Sequence, residues 1–307
     1  MNQQLYRVGE VLRLDSATYE LTAIRKGGMA TVFLLDRVGH SENIMVYKSK
    51  LACKVFDQQQ LDDEQLKNEL NIWINLKHEN IVPLLSLSHL NYRLTAVMPL
   101  YNNSLRDMLA EHGHIQWVEA LNILRQIASA LQYAASAYDV VHLDIKPENV
   151  LCQSPSKGIA AHLSDWGMAT IQKSVLGTNT SLQDHSQTYA GFGTLPYMAP
   201  ERLLGEGAAN QSMDVYSVGI MIYECLVGHL PYRAQTASEL GMEIVENRYM
   251  DVVRSSSSSL GRAGVEVLQK ALNPVPDRRY ASAMEFYSAL RWVSLKKKAF
   301  GLFGRRG

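Results

Sequence analysis

The pattern of apolar and polar positions changes along the chain, from one typical of strands to one typical of helices. In residues 5–56, the segments YELTAI, ATVFLLDRV and SKLACKVF carry alternating or β-branched apolar residues, and the turn-forming stretches GG and VGHSEN separate them. Residues 80–88 and 93–100 have the same character. This pattern predicts a series of β-strands in the first hundred residues.

A single helix is predicted among these strands, in residues 61–77. Its apolar positions fall largely on one face of a helix and comprise Leu66, Leu70, Trp73, Ile74 and Leu76. From Ser104 onward helical spacing dominates. A serine cap and a glycine stop bound residues 104–113, and a long amphipathic segment covers 117–137. Three further helices are predicted over residues 214–228, 265–272 and 282–293.

Two polar segments interrupt the predicted helices. Residues 170–190 have no apolar period, which indicates a mobile loop, and the sequence RSSSSSLG at 254–261 predicts a flexible connector. The chain is therefore expected to be of the α+β class. We predict a small β-rich lobe with one main helix in residues 1–98, a short hinge at 99–103, and a larger helical lobe at 104–294. A basic tail at 295–307 follows.

Composition excludes some classes of protein and leaves others open. The chain has 307 residues, 47% of them hydrophobic, which is enough for a sizeable core. Thirty basic residues balance thirty acidic ones, so we expect no nucleic-acid partner. Three scattered cysteines and the absence of a signal-peptide profile at the N-terminus predict a cytoplasmic location.

The tail departs from this charge balance because it mixes basic and apolar residues. It contains Lys296, Lys297, Lys298, Phe300, Leu302, Phe303, Arg305 and Arg306. Such a segment is suited to weak contact with an anionic membrane surface or with a protein partner. A solvated terminus is the alternative. The sequence does not predict an oligomeric state.

The candidate chemistry lies in the segment VVHLDIKPENVL, residues 140–151. Asp144 can accept a hydroxyl proton, Lys146 can neutralise a phosphoryl oxygen, and the amide oxygen of Asn149 can bind a hard cation. A second acid, Asp165 in HLSDWG, offers another oxygen of the kind that Mg²⁺ accepts. Each residue alone is also compatible with an ordinary charged turn, whereas three together favour a site.

The strand-rich part has two further candidates. Gly27 and Gly28 lie between two predicted strands, where backbone amides can approach a phosphate closely, although an ordinary hairpin has the same pattern. Lys54 lies inside an apolar strand and needs an anion, since lysine is rarely buried unpaired. Glu69 on the predicted helix is the candidate partner, and a purely structural ion pair is the alternative.

The order of these motifs resembles that of the protein kinases. The glycine pair, the strand lysine, the helix glutamate, HxDxKxxN and DxG are followed by YMAPE at 197–201 and DVYSVG at 214–219. The resemblance covers about residues 18–292. DIKPEN together with GTLPYMAPE is similar to the eukaryotic-like (Hanks-type) serine/threonine kinases, and GGMATVF to their bacterial members. It implies a bilobal protein kinase fold that uses ATP and Mg²⁺ on protein substrates.

The resemblance also implies a role for each matching residue. Asp144 would orient the acceptor hydroxyl, Lys146 would stabilise the transferred phosphoryl group, and Thr194 would lie beside both. Asn149 and Asp165 would hold the magnesium ions. The implied ATP-binding residues are Ile24, Gly27, Gly28, Val32, Ala52, Lys54, Glu69, Met98, Leu100 and Leu151. Lys54 would contact the α- and β-phosphates, and the backbone N–H of Leu100 would bind the adenine.

Two departures from the family pattern bear on function. Leu143 replaces the arginine that usually meets a phosphorylated activation loop, so the chain would be of the non-RD type (HLD) and active without loop phosphorylation. Arg25 and Ala30 stand where the glycine loop usually has glycines. A pseudokinase-like scaffold with weak ATP binding is therefore the alternative to an active serine/threonine kinase. The retained Lys54, Asp144 and Asp165 favour the enzyme.

Overall fold

A computed structural model describes residues 6–14, 17–26, 30–38, 50–56, 70–90, 93–153, 158–166, 169–171 and 194–303, with the backbone alone at 170, 171 and 297–303. The chain divides into two compact units. The first comprises Met1–Lys77 and Ile81–Asn102, and the second comprises His78–Asn80 and Asn103–Gly307. The predicted Gly27, Gly28 and Glu69 lie outside the described residues, as do residues 172–190 of the predicted loop.

The first unit is built on an antiparallel sheet with the order β1-β2-β3-β4-β6-β5. Its strands are β1 Val11–Leu14, β2 Ala17–Lys26, β3 Ala30–Arg37, β4 Lys50–Phe56, β5 Ser86–Leu90 and β6 Arg93–Pro99. Because successive side chains in a strand point to opposite faces, the alternating sequence separates two sets of residues. One set forms a buried cluster that includes Tyr19, Leu21, Phe33, Leu35, Cys53 and Val55.

The other set is aligned by the strand register. Val32 is opposite Lys54, and Ala52 is opposite both Leu34 and Met98. Residues directly opposite each other on paired strands share a face of the sheet. Val32, Ala52, Lys54 and Met98 therefore lie on the face away from the Tyr19–Leu21 cluster.

Helix α1 is described over residues 70–75, within the helix predicted at 61–77. The strand predicted at 80–88 was largely wrong, because β5 begins only at Ser86 and residues 82–85 have no regular structure. Pro83 lacks the backbone donor that a strand interior requires. The carbonyl of Asn80 instead accepts a hydrogen bond from Leu163 N at 2.8 Å, and both residues belong to the second unit.

The second unit is mainly helical, which confirms the predicted α+β class. Its helices are α2 Leu105–His112, α3 Trp117–Tyr138, α4 Pro200–Leu203, α5 Gln211–Val227, α6 Ala237–Val245, α7 Tyr249–Ser255, α8 Ser257–Leu260, α9 Arg262–Ala271 and α10 Ala283–Phe303. Ser104 caps α2 through Asp107, and Gly113 ends it with a positive φ of 75°, as the sequence predicted. Helix α5 is buried along most of its length and packs against α3, α9 and α10.

Two small sheets position the loops of this unit. Strands β8 Val140–Val141 and β11 Thr170–Ile171 pair with each other. Strand β9 Val150–Gln153 pairs on one side with β7 Asn103–Ser104 and on the other with β10 Ala160–Leu163. The segment from His142 to Asn149 therefore runs between the ends of β8 and β9.

The connector predicted at 254–261 is wrong, because the end of α7 and the whole of α8 occupy it. The hydroxyls of Ser255 and Ser256 donate to the Val252 carbonyl at 2.8 and 2.9 Å, which satisfies them at the end of α7. Leu260 is completely buried and anchors α8. Helix α6 was not predicted, although Thr236 and Glu239 form a readable capping box at its start.

The last helix leaves large apolar side chains in solvent near the basic tail. Trp292 is 60% exposed and Leu295 is 48% exposed. The ammonium of Lys296 lies 5.4 Å from the centre of the Trp292 ring. Contact of this tail with a membrane or a partner stays a prediction. Among the described residues, no helix is long and apolar enough to cross a membrane.

Two helical glycines give opposite expectations for stability. A Cβ at Gly219 of α5 would lie 2.8 Å from the Cδ2 atom of the buried Leu272, whereas one at Gly241 of α6 meets nothing closer than 3.8 Å. Gly219→Ala is expected to lower the free energy of unfolding by about 1–3 kcal/mol through overpacking. Gly241→Ala is expected to raise it by about 0.5–1 kcal/mol through helix propensity. Urea unfolding of both variants tests this, and a stabilised Gly219→Ala protein would contradict the packing described.

Candidate active site

The candidate site is organised by the loop between β8 and β9. Residues Pro147–Asn149 form a 3-10 turn, and Pro147 begins it because its fixed φ suits the first helical position. Asn149 leads directly into β9, and β10 returns alongside to present Ser164 and Asp165. Residues far apart in the sequence are thereby placed at one end of a small sheet.

Lys146 joins two of the predicted catalytic residues. Its Nζ atom donates to both carboxylate oxygens of Asp144, at 3.1 and 3.0 Å, and to the hydroxyl of Thr194 at 2.6 Å. Asp144 is buried, while Lys146 and Thr194 are half-buried. Close hydrogen bonds to charged groups are among the stronger ones in proteins. The structure thus brings Asp144, Lys146 and Thr194 together, as the sequence predicted.

Asn149 is held in a single orientation beside Asp144. Its side-chain N–H groups donate to the carbonyl and to Oδ2 of Asp144, at 2.7 and 2.9 Å. Its own carbonyl accepts from the backbone N–H and the hydroxyl of Ser164, at 2.8 and 2.9 Å. Since both of its N–H groups face Asp144, the amide oxygen of Asn149 points elsewhere and keeps its capacity to bind a cation.

Asp165 follows Ser164 with a φ of 63°, in the left-handed region that few residues other than glycine adopt. The next residue, Trp166, is completely buried, and its Nε1 lies 3.4 Å from the Leu163 carbonyl. The left-handed residue reverses the chain between β10 and the buried indole. Burial of Trp166 therefore fixes the position of Asp165.

His142 links the two halves of the loop from within the core. Its Nδ1 accepts from the backbone N–H of Asp144 at 3.2 Å, so Nε2 carries the proton and donates to the Ser164 carbonyl at 3.0 Å. Burial lowers the pKa of His142, with nearby carboxylates acting in the opposite direction. The ring also packs edge-on against Trp166, 4.5 Å between centroids. A neutral His142 thus connects the segments that carry Asp144 and Asp165.

A buried carboxylate on α5 binds the backbone just before Asp144. Asp214 is 4% exposed, and its two oxygens accept from the backbone N–H groups of His142 and Leu143, at 2.9 and 2.8 Å. Burial raises the pKa of Asp214, while those amides and the guanidinium of Arg202 act in the opposite direction. Arg202, in α4, donates to the carbonyl of Leu143. The peptide groups on either side of Leu143 are both fixed.

A second ion pair anchors α4. Arg279 donates to both oxygens of Glu201, at 2.6 and 2.7 Å, and all of these atoms are buried. Its bidentate geometry and its burial are those of a pair that holds the fold together.

Some residues near the loop were not identified from the sequence. Arg106 of α2 donates to Glu148 at 2.8 Å and to Glu224 at 2.6 Å, and Tyr197 donates to Glu224 at 2.6 Å. Burial and the nearby Glu224 raise the pKa of Tyr197. Because these contacts join residues up to 118 positions apart, no local sequence pattern predicts them. Arg202 was missed for the same reason.

In the first unit, the register places four of the predicted ATP-binding residues on one face of the sheet. These are Val32, Ala52, Lys54 and Met98, of which Ala52 and Met98 are buried. The ammonium of Lys54 lies 5.3 Å from the centre of the Phe56 ring. Small and aliphatic side chains on one face suit a flat heterocycle. The part that Leu151 takes in this binding stays a prediction.

Two of the ATP-binding assignments are not supported by the structure. Ile24 is opposite Phe33 and packs against the Tyr19–Leu21 cluster, on the face away from Val32. The backbone N–H of Leu100 donates to the Lys50 carbonyl at 3.2 Å and is already used within the sheet. Because backbone groups alternate in direction along a strand, the next amide, that of Tyr101, points away from β4 and is the better candidate.

The donor set at the loop is compatible with magnesium only with help from a phosphate. Among the described residues, no group of three or more His, Cys, Asp or Glu side chains could hold a metal ion alone. Asn149 and Asp165 offer two oxygen ligands. Mg²⁺ in phosphate-transfer sites is bound by one or two protein oxygens together with water and phosphate. The residues therefore fit a metal that arrives with a nucleotide.

The fold and the loop geometry together define a class of protein. A β-rich first unit precedes a helical unit in which an acid, a lysine and a threonine converge. The chain matches the family of the protein kinase domain over residues 21–290. It therefore belongs to the protein kinase family, and the predicted kinase fold is confirmed.

Individual relatives agree with this membership. A probable myosin light chain kinase of Dictyostelium discoideum is 28% identical over 220 residues, 71% of this chain and 59% of the relative. The serine/threonine-protein kinase PknH of Mycobacterium tuberculosis is 29% identical over 262 residues, 84% of this chain and 39% of the relative. For PrkC of Bacillus subtilis the values are 26%, 284 residues, 91% and 41%. These names confirm the resemblance to Hanks-type serine/threonine kinases, and the chain spans 39–59% of the length of these three relatives.

The hydrogen bond between Lys146 and Thr194 gives a direct test of the site. Thr194→Val keeps the shape of the side chain and removes the hydroxyl, so Lys146 loses its contact at 2.6 Å. A hydrogen bond to a charged group contributes about 1.5–3 kcal/mol, and we expect the rate of phosphate transfer from ATP to fall about tenfold or more. Thr194→Ser keeps the hydroxyl and is expected to stay within about threefold of the parent rate. Equal rates for the two variants would contradict the role of the hydroxyl.

Proposed function

We propose that the protein transfers the γ-phosphoryl group of ATP to serine and threonine hydroxyls of protein substrates. The observation that carries this proposal is the convergence of Asp144 and Thr194 on the ammonium of Lys146. A carboxylate next to a fixed positive charge can accept a hydroxyl proton while the charge stabilises a phosphoryl group in transfer. Relatives whose names state serine/threonine kinase activity support the choice of substrate class.

Each of the five site residues then has one task. Asp144 orients the acceptor hydroxyl and takes its proton. Lys146 stays between Asp144 and the transferred group, and Thr194 keeps its ammonium in place. Asn149 and Asp165 would hold Mg²⁺, which supplies charge neutralisation on the phosphates when it is bound. Catalysis of this kind depends mainly on position and charge.

ATP would be held by the first unit through residues of one sheet face. Val32, Ala52 and Met98 provide the apolar surface for the adenine, and Lys54 provides the charge for the phosphates. A backbone amide after Pro99 would fix the base, and the strand direction favours that of Tyr101 over that of Leu100. The retained lysine and acids favour this reading over a scaffold without activity.

Asp144→Asn is the principal test of the proposed activity. The variant keeps the size of the side chain and loses the proton acceptor, so kcat is expected to fall about 100-fold or more. The assay uses labelled ATP, Mg²⁺ and a generic protein substrate, and calorimetry follows ATP binding, which is expected to persist. Asp251→Asn, at an exposed surface pair on α7, is the matched control and is expected to leave kcat unchanged.

The outcome separates an enzyme from a scaffold. Equal rates for the parent protein and Asp144→Asn would show that any transfer arises elsewhere. No transfer by the parent protein, with ATP binding intact, would favour a partner-binding module. Chelation of Mg²⁺ is expected to abolish transfer by the parent protein and by Asp251→Asn, both of which retain Asp144.

We further propose that activity does not require phosphorylation of the loop predicted at residues 170–190. Leu143 stands where the family usually has arginine, and its hydrocarbon side chain offers no positive charge to a phosphate. Its backbone N–H is instead held by Asp214. The proposal is thus supported by the backbone around Leu143, which contacts within the second unit hold in place.

The loop hydroxyls provide the corresponding test. They are Ser174, Thr178, Thr180, Ser181, Ser186 and Thr188. Replacing all six by alanine is expected to leave kcat within about threefold of the parent value, since no charge-assisted bond to a phosphate is lost. Phosphatase treatment of the parent protein is the control for modification acquired during expression. Abolished transfer in the six-alanine variant would refute independence from loop phosphorylation.

A further inference from the structure

The residue before the proposed catalytic base adopts an uncommon backbone conformation. Leu143 has a φ of 67°, in the left-handed region. For a residue with a side chain this conformation costs about 1–2 kcal/mol, and it persists only where surrounding contacts determine it. The peptide bond that follows Leu143 carries the N–H of Asp144. Whatever fixes this peptide group therefore fixes the position of Asp144.

Three side chains hold the peptide groups around Leu143: Asp214 binds the one before it, and His142 and Arg202 bind the one after it. Asp214 accepts the N–H of Leu143 at 2.8 Å. Arg202 donates through Nη1 to the carbonyl of Leu143. Asp214 belongs to α5 and Arg202 to α4, so two separate helices hydrogen-bond to the loop. Arg202 was not identified from the sequence, so its contact with the loop is known from the structure alone.

Arg202 reaches the Leu143 carbonyl from a buried position. The residue is 6% exposed, and a buried guanidinium requires partners that replace water. Its neighbour Glu201 turns the other way and is occupied by Arg279. Arg202 therefore points at the loop without competition from the adjacent carboxylate. Its burial also prevents it from meeting a phosphate group in solvent.

We propose that Arg202 is a positioning residue that holds the peptide group before Asp144 in its working orientation without any phosphorylated residue. This inference rests on the proposed function and deepens it. Leu143 removes the usual link between loop phosphorylation and the catalytic segment, and Arg202 supplies a constant positive charge from α4. The loop is consequently held at all times, through its backbone carbonyl.

The test compares three variants in two measurements. Arg202→Met keeps the length of the side chain and removes the donor, and Arg202→Lys keeps one charged donor. Tyr249→Phe is the matched control, because it removes another buried side-chain donor to a carbonyl, that of Leu272 at 2.9 Å. Steady-state kinetics give kcat and KM for ATP and for the substrate. Hydrogen exchange of the peptide covering residues 140–149 reports on the loop itself and requires no activity.

Arg202→Met is expected to lower kcat about tenfold to 100-fold with each KM within about threefold, as for a misplaced catalytic group. Its 140–149 peptide is expected to exchange at least about tenfold faster than in the parent protein. Arg202→Lys is expected to recover most of both properties. Tyr249→Phe is expected to retain kcat and exchange at 140–149, even where its melting temperature falls.

The two measurements separate this inference from the proposed function. Unchanged exchange at 140–149 in Arg202→Met, or an Arg202→Lys variant no better than Arg202→Met, would overturn the role of Arg202. Faster exchange in Arg202→Met together with no transfer by the parent protein would support Arg202 and refute the kinase activity. Tyr249→Phe with the same loss of kcat as Arg202→Met would show a general loss of stability and overturn the inference.

Discussion

The arrangement at the loop depends on one buried carboxylate. Asp214 lies on a helix with almost no exposed surface, and it accepts two consecutive backbone amides. A carboxylate removed from water is stable only when hydrogen-bond donors replace its hydration. The amides of His142 and Leu143 satisfy this requirement. If they moved away, the carboxylate would remain buried without hydrogen-bond donors. Through the ring of His142, the constraint extends to the Ser164 carbonyl and to the backbone N–H of Asp144.

This coupling explains why the protein combines ordinary core packing with unusual backbone geometry. Leu143 and Asp165 both have positive φ values, and both lie beside groups of proposed catalytic importance. Each is adjacent to a deeply buried aromatic or carboxylate anchor, Trp166 in one case and Asp214 in the other. Local strain is tolerated because the surrounding contacts contribute more than it costs. Membership of the protein kinase family and the geometry of the loop therefore both support the proposed kinase activity.

Much of the architecture was predictable, because alternation and helical spacing report burial directly. The strands around Lys54 and the helix that follows Ser104 were found in this way. The order of short motifs also identified Asp144, Lys146, Asn149 and Asp165. Hydroxyl-rich residues 254–261 were misread, because serine satisfies its hydroxyl equally well in a turn and in a helix. Arg202 and Ile24 needed the structure, since a contact across 59 positions or a strand register leaves no local trace.

The enclosed imidazole of His142 has a consequence for acid tolerance. Its pKa is lowered by burial, so the folded protein resists protonation of this ring, whereas the unfolded chain takes up a proton near pH 6.5. Below that pH the unfolded state gains stability relative to the folded one, by up to about 1.4 kcal/mol for each pH unit between the two pKa values. Above it, the ring is neutral in both states and contributes no dependence on proton concentration. Mild acidification should therefore lower the free energy of unfolding through this imidazole, which connects the segments that carry Asp144 and Asp165.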